Sequence, residues 1–527
     1  MLLYHLKATR IISAAGNGDY GSGLFLLASL LVVPATPSAG SPTTLTAAKT
    51  VLDQAIEAQG GAAALDAIKS VTLTTQGYRN MLEQSERPEG PYILEYDTIV
   101  EIRNQAAGRY RISIDSTVPP SYRYSQGIVA DRTVAMRVGG PKPVRGDSDM
   151  VASAREALAL SPERLLLTAR AAEDLQLANS ETLQAVPQDV ITFTFDGAPV
   201  RVFLNRYTHL PTALDYSGPL ARAGHWARLG DVTMRTYYSY WARGNGGVRF
   251  PMQWDIYRNG LHESTLSVRS IAINALIAEP EMAIPSDVRA NFATALARSP
   301  ATVLGRPGQP AVEAAPGIIV IPGAWNVTIV RQDDGIVIVE APISSDYSEQ
   351  VIAEAARRFP GVPVKAVVTT SDSWPHIGGL RAYVARGIPV YGLALNKPII
   401  DRLVTASFTA KPDALQRQRR RMRYIPVDRK TTIGSGTNLL EIFPIRGETS
   451  ERQALVYWPT LQLLYGSDPF QDLASNPQTV GELADAVRRE NLNPERLYMM
   501  HMMPIAWREL VAATSQPTLF PDGSALR

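Results

Sequence analysis

Six histidines and no cysteine set the range of chemistry open to this 527-residue chain. Without thiolates there are no disulfides, no iron–sulfur clusters and no cysteine nucleophile, so a metal ion would have to be held by imidazole and carboxylate groups. The histidines are His5, His209, His225, His262, His376 and His501. His209, His225 and His262 lie among strand-like segments without ligand spacing and read as structural residues. No GxSxG elbow, P-loop or dinucleotide fingerprint stands between a strand and a helix, which leaves serine-hydrolase and nucleotide chemistry without support. The one basic cluster, Arg417, Arg419, Arg420, Arg421 and Arg423, reads as the solvated face of a helix that could meet anionic lipid headgroups. With 52 basic against 50 acidic residues and no aromatic interleaving in that run, no nucleic-acid partner is expected.

The elements that must position these groups come in two textures. From Thr44 to about Ser70 apolar residues recur at near-helical spacing on either side of Gly60 and Gly61, which predicts a helical hairpin or two short helices. Segments 71–75, 92–96, 109–114, 190–195, 232–238 and 264–271 then alternate polar and apolar residues, as half-buried antiparallel strands do. Hairpin turns are expected at 196–197, 245–247 and 259–260, and one helix at about 162–172. Residues 291–316 are rich in Pro and Ala and predict a linker between a β-rich domain over 44–290 and a second domain over 317–527. In that second domain the strands 318–321, 335–340, 364–370 and 388–393 are continuously apolar, with helices expected at 346–358, 377–386 and 396–405. Such strands are covered on both faces, and chemistry sits at their C-terminal ends. The segment after Thr370 is therefore the first place to look.

Leu24 to Val33 is an apolar run of ten residues, with Lys7 and Arg10 before it and small residues through Ala39 and Gly40 after it. Ten residues are too few to span a bilayer, which takes roughly 20. Residues 1–39 are expected to be a secretory signal with a long n-region, sending the chain to the periplasm or out of the cell. A short uncleaved anchor is the alternative.

The stretch from 367 to 383, ValValThrThrSerAspSerTrpProHisIleGlyGlyLeuArgAlaTyr, resembles the signature of the metallo-β-lactamase superfamily. Segments 317–326, 335–342, 454–459, 463–468 and 497–507 follow in the order of that family's motifs. The resemblance implies an αββα sandwich over 317–527. Residues 58–73, 246–261 and 268–274 are similar to lipoprotein-carrier-like half-barrels, which implies an antiparallel half-barrel with helices and an apolar groove. The expected fold class is thus α+β in two domains.

Carried over residue by residue, the family's ligand set is incomplete here. Two early histidine positions hold Ser371 and Ser373, the aspartate position holds Pro375, and a later histidine position falls on or beside Thr449. His376, Asp468 and His501 remain, and the resemblance implies that they are the metal ligands, with Ser371, Ser373, Pro375 and Thr449 lining the vacated part of the pocket. Two imidazoles and a carboxylate suffice for one zinc with an open position. Asp372 and Glu448 stand beside the lost positions, but a neighbour on an extended segment points to the opposite side. The resemblance therefore implies an exported hydrolase-like protein with one zinc or none, acting on an ester, lactone or amide. The alternative is a non-catalytic protein that keeps His376 and His501 as interior polar groups and binds a hydrophobic or lipid-like ligand through its half-barrel.

Overall fold

Period-two patterning in the first half of the chain becomes one antiparallel sheet of 13 strands. The computed structural model describes residues 42–82, 90–118, 122–140, 142–217, 230–295, 304–306, 308–323, 325–471, 473 and 477–514. The expected signal segment, His5 and His225 lie outside them. In the middle of the sheet Ser70–Asn80 pairs with Leu261–Ile273 on one side and Leu94–Asn104 on the other. Two of the expected turns carry the positive φ pairs of two-residue hairpins, +51° and +74° at Asp196 and Gly197, and +47° and +82° at Asn259 and Gly260.

One face of this sheet is covered by helices. Pro42–Gln59 turns Ala48, Leu52, Ala55 and Ile56 inward, a single stripe at i, i+4, i+7 and i+8. With Leu165–Ala171 the stripe packs against strand residues that include Val71, Val202, Phe250 and Trp254. A helix not foreseen from the sequence, Ser148–Ala159, starts where the Asp147 carboxylate accepts the backbone N–H of Met150 at 3.0 Å. It shares a core with Tyr110, Val129 and Met136, and Phe292 joins from the helix Ser286–Ala295. That last contact corrects the expected linker over 291–316. Its first residues complete a packed helix, and Val312–Ala315 is already a strand of the next sheet. Proline and alanine content misled because Ala also suits helices and edge strands tolerate it.

The second half is built of two sheets packed face to face. The first runs Val312–Ala315, Ile318–Ile321, Val327–Gln332, Gly335–Val339, Val364–Val368, Val390–Leu393 and Tyr424–Val427, parallel from Gly335–Val339 onward. The second holds Thr431–Ile433, Leu440–Pro444, Ala454–Trp458, Leu463–Tyr465, Arg496–Tyr498 and Ile505–Ala506. Val320, Val337 and Val368 of one sheet meet Ile442, Val456 and Trp458 of the other. The alternate residues Ile319, Ile338 and Val367 face the helices Ser345–Arg358, Leu380–Ala385 and Lys397–Thr405. Leu455, Leu464 and Leu497 face Pro477–Arg489 and Trp507–Ala513. Both faces of each sheet are buried, which is why these strands read as unbroken apolar runs. The layer order is α, β, β, α, in a mixed α+β molecule.

The two halves belong to one unit of the chain. Asp231 joins them: its carboxylate accepts the amides of Thr409 (2.8 Å) and Ala410 (2.9 Å), and its own amide donates to the Ser407 carbonyl at 2.6 Å. The basic run 417–423 departs from its expected helix. Only Ala414–Arg417 is helical, and 418–423 is exposed chain without regular structure apart from half-buried Met422. Among the described residues no helix is long and apolar enough to cross a membrane.

Candidate functional site

Four segments meet at one end of the sandwich, each leaving the C-terminal end of a strand. Glu340 follows Gly335–Val339, the loop to His376 follows Val364–Val368, Asp468 lies three residues past Leu463–Tyr465, and His501 three past Arg496–Tyr498. All four thus sit at strand C-terminal ends, where the sequence directed the search. Ser373 begins a single helical turn, Trp374–Ile377, that carries His376 back under the sheet edge, where the ring is 1% exposed.

His376 lies between two carboxylates. Its Nδ1 is 3.0 Å from Glu340 Oε2, within ion-pair distance though off the ideal hydrogen-bond direction, and its Nε2 is 3.9 Å from Asp468 Oδ2. The same Asp468 oxygen is 3.3 Å from Nε2 of His501. Glu340 is held in turn by the hydroxyls of Thr370 and of Tyr465, the latter at 3.1 Å, and Thr370 also touches the Ser467 hydroxyl at 2.7 Å. Burial alone would make His376 harder to protonate, but the Glu340, Asp468 and Asp372 carboxylates outweigh it and raise its pKa above the usual imidazole range. Asp372 is 4% exposed and sits 3.2 Å from Arg452 Nη1; burial pushes its carboxyl up to about 7 against the pull of that guanidinium.

The backbone here is unusual. Glu340 has φ +76° and Ser467 +65°, conformations that cost non-glycine residues on the order of 1–3 kcal/mol and persist where surroundings enforce them. Trp374 is buried edge-on to Trp325, with ring centroids 5.3 Å apart, and Trp325 reaches to 6.4 Å from the His501 ring. Trp325 thus stands between Trp374 and the His501 ring.

The structure brings His376, Asp468 and His501 together. Ser371 and Ser373 line the same loop, the Ser371 hydroxyl accepting the Ser373 amide at 3.2 Å, and Pro375 lies in the first turn of the short helix. Thr449 is drawn elsewhere: its amide and hydroxyl donate to Glu482 of Pro477–Arg489 at 3.1 and 3.0 Å. Glu340, Thr370, Tyr465, Ser467 and Arg452 belong to the site network and were not singled out from sequence. The one available signal was Glu340, a charged residue closing an otherwise apolar strand.

Donors around a tetrahedral zinc lie roughly 3.3 Å from one another. The Asp468–His501 spacing of 3.3 Å meets this, and the 3.9 Å to His376 is the wide side. Among the described residues no three His, Asp or Glu side chains form a closed metal-ready group. The donor types still fit a single zinc: among the described residues Asp468 Oδ1 is buried with no hydrogen-bond partner, and Glu340 stands behind His376 on the Nδ1 side, as carboxylates orient zinc-binding imidazoles.

No family model matches the chain, and no curated protein matches it. Among solved structures it is similar to the metallo-beta-lactamase of Erythrobacter litoralis, at 16% identity over 40% of this chain and 97% of that one, TM-score 0.30. It is similar also to the metallo-beta-lactamase of Pontibacter korlensis, at 16% identity over 39% and 96%, TM-score 0.31. The stereoselective inverting sec-alkylsulfatase Pisa1 of Pseudomonas sp. aligns at 14% identity over 40% of each chain, TM-score 0.30.

Proposed function

We propose that the C-terminal sandwich is a hydrolase-type domain of the metallo-β-lactamase fold with a reduced site, taking one zinc at most and acting on an ester, lactone or amide. The observation that supports this best is the convergence of His376, Asp468 and His501 from three strand ends, with Glu340 on the far side of the His376 ring. These three residues would hold the ion, and zinc in such a site supplies a water acidified to a pKa of about 7. The chain does the positioning. Glu340 faces the Nδ1 side of His376 and leaves Nε2 toward Asp468, while Thr370 and Tyr465 hold Glu340. Trp325, edge-on to Trp374, flanks the His501 ring. The apolar run at 24–33 supports export to the periplasm or beyond.

Elemental analysis of zinc-supplemented protein beside His376→Ala and Asp468→Ala tests the reading. Near one equivalent of zinc, lost in both variants, is expected. No metal above background sinks it and favours the non-catalytic alternative, in which the N-terminal sheet is a half-barrel that binds a hydrophobic or lipid-like ligand.

A further inference from the structure

Positive charge is concentrated in one exposed stretch at the other end of the sandwich. Between Lys411 and Lys430 there are eight basic residues and two acidic ones; with these set aside, 44 basic and 48 acidic residues remain, so the rest of the chain carries a net charge of −4. Of the two acids, Asp413 is taken by the buried guanidinium of Arg381, at 2.6 and 2.8 Å. Arg417, Arg419, Arg420, Arg421 and Arg423 are all exposed, and among the described residues none of them forms an ion pair. Arg417 donates to the Pro412 carbonyl (2.6 Å) and Arg419 to the Gln416 side chain (2.7 Å), neutral partners that leave both charges uncompensated.

The segment is anchored so that the charges face out. Met422 packs into the core beneath the outer helices while its neighbours Arg421 and Arg423 are exposed, the alternation of an extended chain. The Arg423 carbonyl accepts the amide of Val390 at 2.9 Å, which fixes the run at the N-terminal end of the parallel strands Val390–Leu393 and Tyr424–Val427. The loop to His376 leaves the C-terminal end of the neighbouring parallel strand Val364–Val368.

We propose that this arginine run docks the protein on an anionic lipid bilayer and leaves the end that bears His376 turned to solution. An anionic headgroup layer is a diffuse array of charge and draws basic segments without a shaped pocket. Single-stranded nucleic acid would call for aromatic side chains on which bases stack, and the run from 417 to 423 has none. This inference does not depend on the hydrolase reading.

Co-sedimentation of the full chain with vesicles of phosphatidylcholine alone, and of phosphatidylcholine mixed with phosphatidylglycerol, tests it at low and high salt. Binding to the mixed vesicles alone is expected, falling steeply with salt. Each arginine near such a surface changes partitioning by about fivefold, so Arg420→Ala/Arg421→Ala/Arg423→Ala is expected to lower it roughly 100-fold, with an unchanged melting temperature as the folding control. The matching triple substitution to Lys is expected to restore binding. Equal binding to both vesicle types, the behaviour of the apolar run at 24–33, would overturn the proposal. So would full binding by the triple alanine variant, or binding to DNA without binding to the mixed vesicles.

Discussion

Each half of the molecule buries an ion pair, and the two pairs are finished differently. In the N-terminal sheet, Arg103 of Leu94–Asn104 meets both oxygens of Glu163 at 2.8 and 3.2 Å and a Glu101 oxygen at 2.9 Å, while Gln105 adds a bond to Glu163 at 3.4 Å. Burial opposes the Arg103 charge, but the two glutamates outweigh it and hold its pKa above the usual guanidinium range. None of Glu101, Arg103 and Glu163 has a positive φ, and the pair ties a strand to the turn ahead of the helix Leu165–Ala171. In the sandwich, His376 and Glu340 rest on a backbone with φ +76° at Glu340, beside an Asp468 oxygen without a hydrogen-bond partner among the described residues and an Asp372 carboxyl raised to about 7. A closed network of buried charge holds elements together. The network in the sandwich is strained and leaves an acceptor open, the pattern in which a functional site is sought.

The contrast breaks first at Glu163. Glu163→Ala leaves a buried arginine short of its bidentate partner and is expected to lower stability by about 3–5 kcal/mol without changing zinc content. Thermal melting and elemental analysis check it; a loss under 1 kcal/mol would show that the N-terminal pair is not what binds its elements.

A somewhat smaller effect is expected at Asp372, and it depends on pH. Its folded pKa of about 7 is above the ordinary carboxyl value, so the folded state holds a proton that the unfolded chain has already released. The associated stability is complete below the ordinary carboxyl range and is lost as pH rises toward about 7. The swing is at most about 4 kcal/mol. His376, also raised, adds a loss of the same sign as pH climbs past the usual imidazole range. Relative to Asp372→Asn, the melting temperature of the wild type should therefore fall as pH rises across the window. Parallel curves would mean that Arg452 keeps Asp372 ionised throughout.

The same contrast explains what could be read without coordinates. Strand texture was legible in both halves because each reflects burial: alternation where one face meets helices, continuous apolar runs where both faces are covered. His376, Asp468 and His501 were legible because they stand within quoted motifs. Their supports were not. Tyr465 reaches Glu340 across 125 residues of chain and Arg452 reaches Asp372 across 80, contacts made only by the stacking of two sheets. The helix expected at 417–423 failed for a similar reason. Arginine favours helices, but the Arg423 carbonyl is claimed by Val390 and the chain leaves the helix to join a sheet.

One turn sharpens the comparison from the side of local chemistry. Leu183 and Val186 pair across a two-residue hairpin whose loop is Gln184 and Ala185, at φ +50° and +65°. Such a turn calls for Asn or Gly, so the Gln-Ala pair offered no signal, whereas Asp196–Gly197 and Asn259–Gly260 announced themselves. An L-residue with a Cβ is strained at positive φ by roughly 1–2 kcal/mol, and the added freedom glycine has in the unfolded chain takes back a part of that. Ala185→Gly is therefore expected to stabilise the protein by about 0.5–1 kcal/mol, and Gln184→Asn by less. Thermal melting measures both. Unlike the φ of Glu340, this strain has no titratable cluster around it, so relieving it should leave zinc content untouched. A destabilised Ala185→Gly variant would mean that neighbouring contacts, and not the hairpin's own geometry, hold the turn in place.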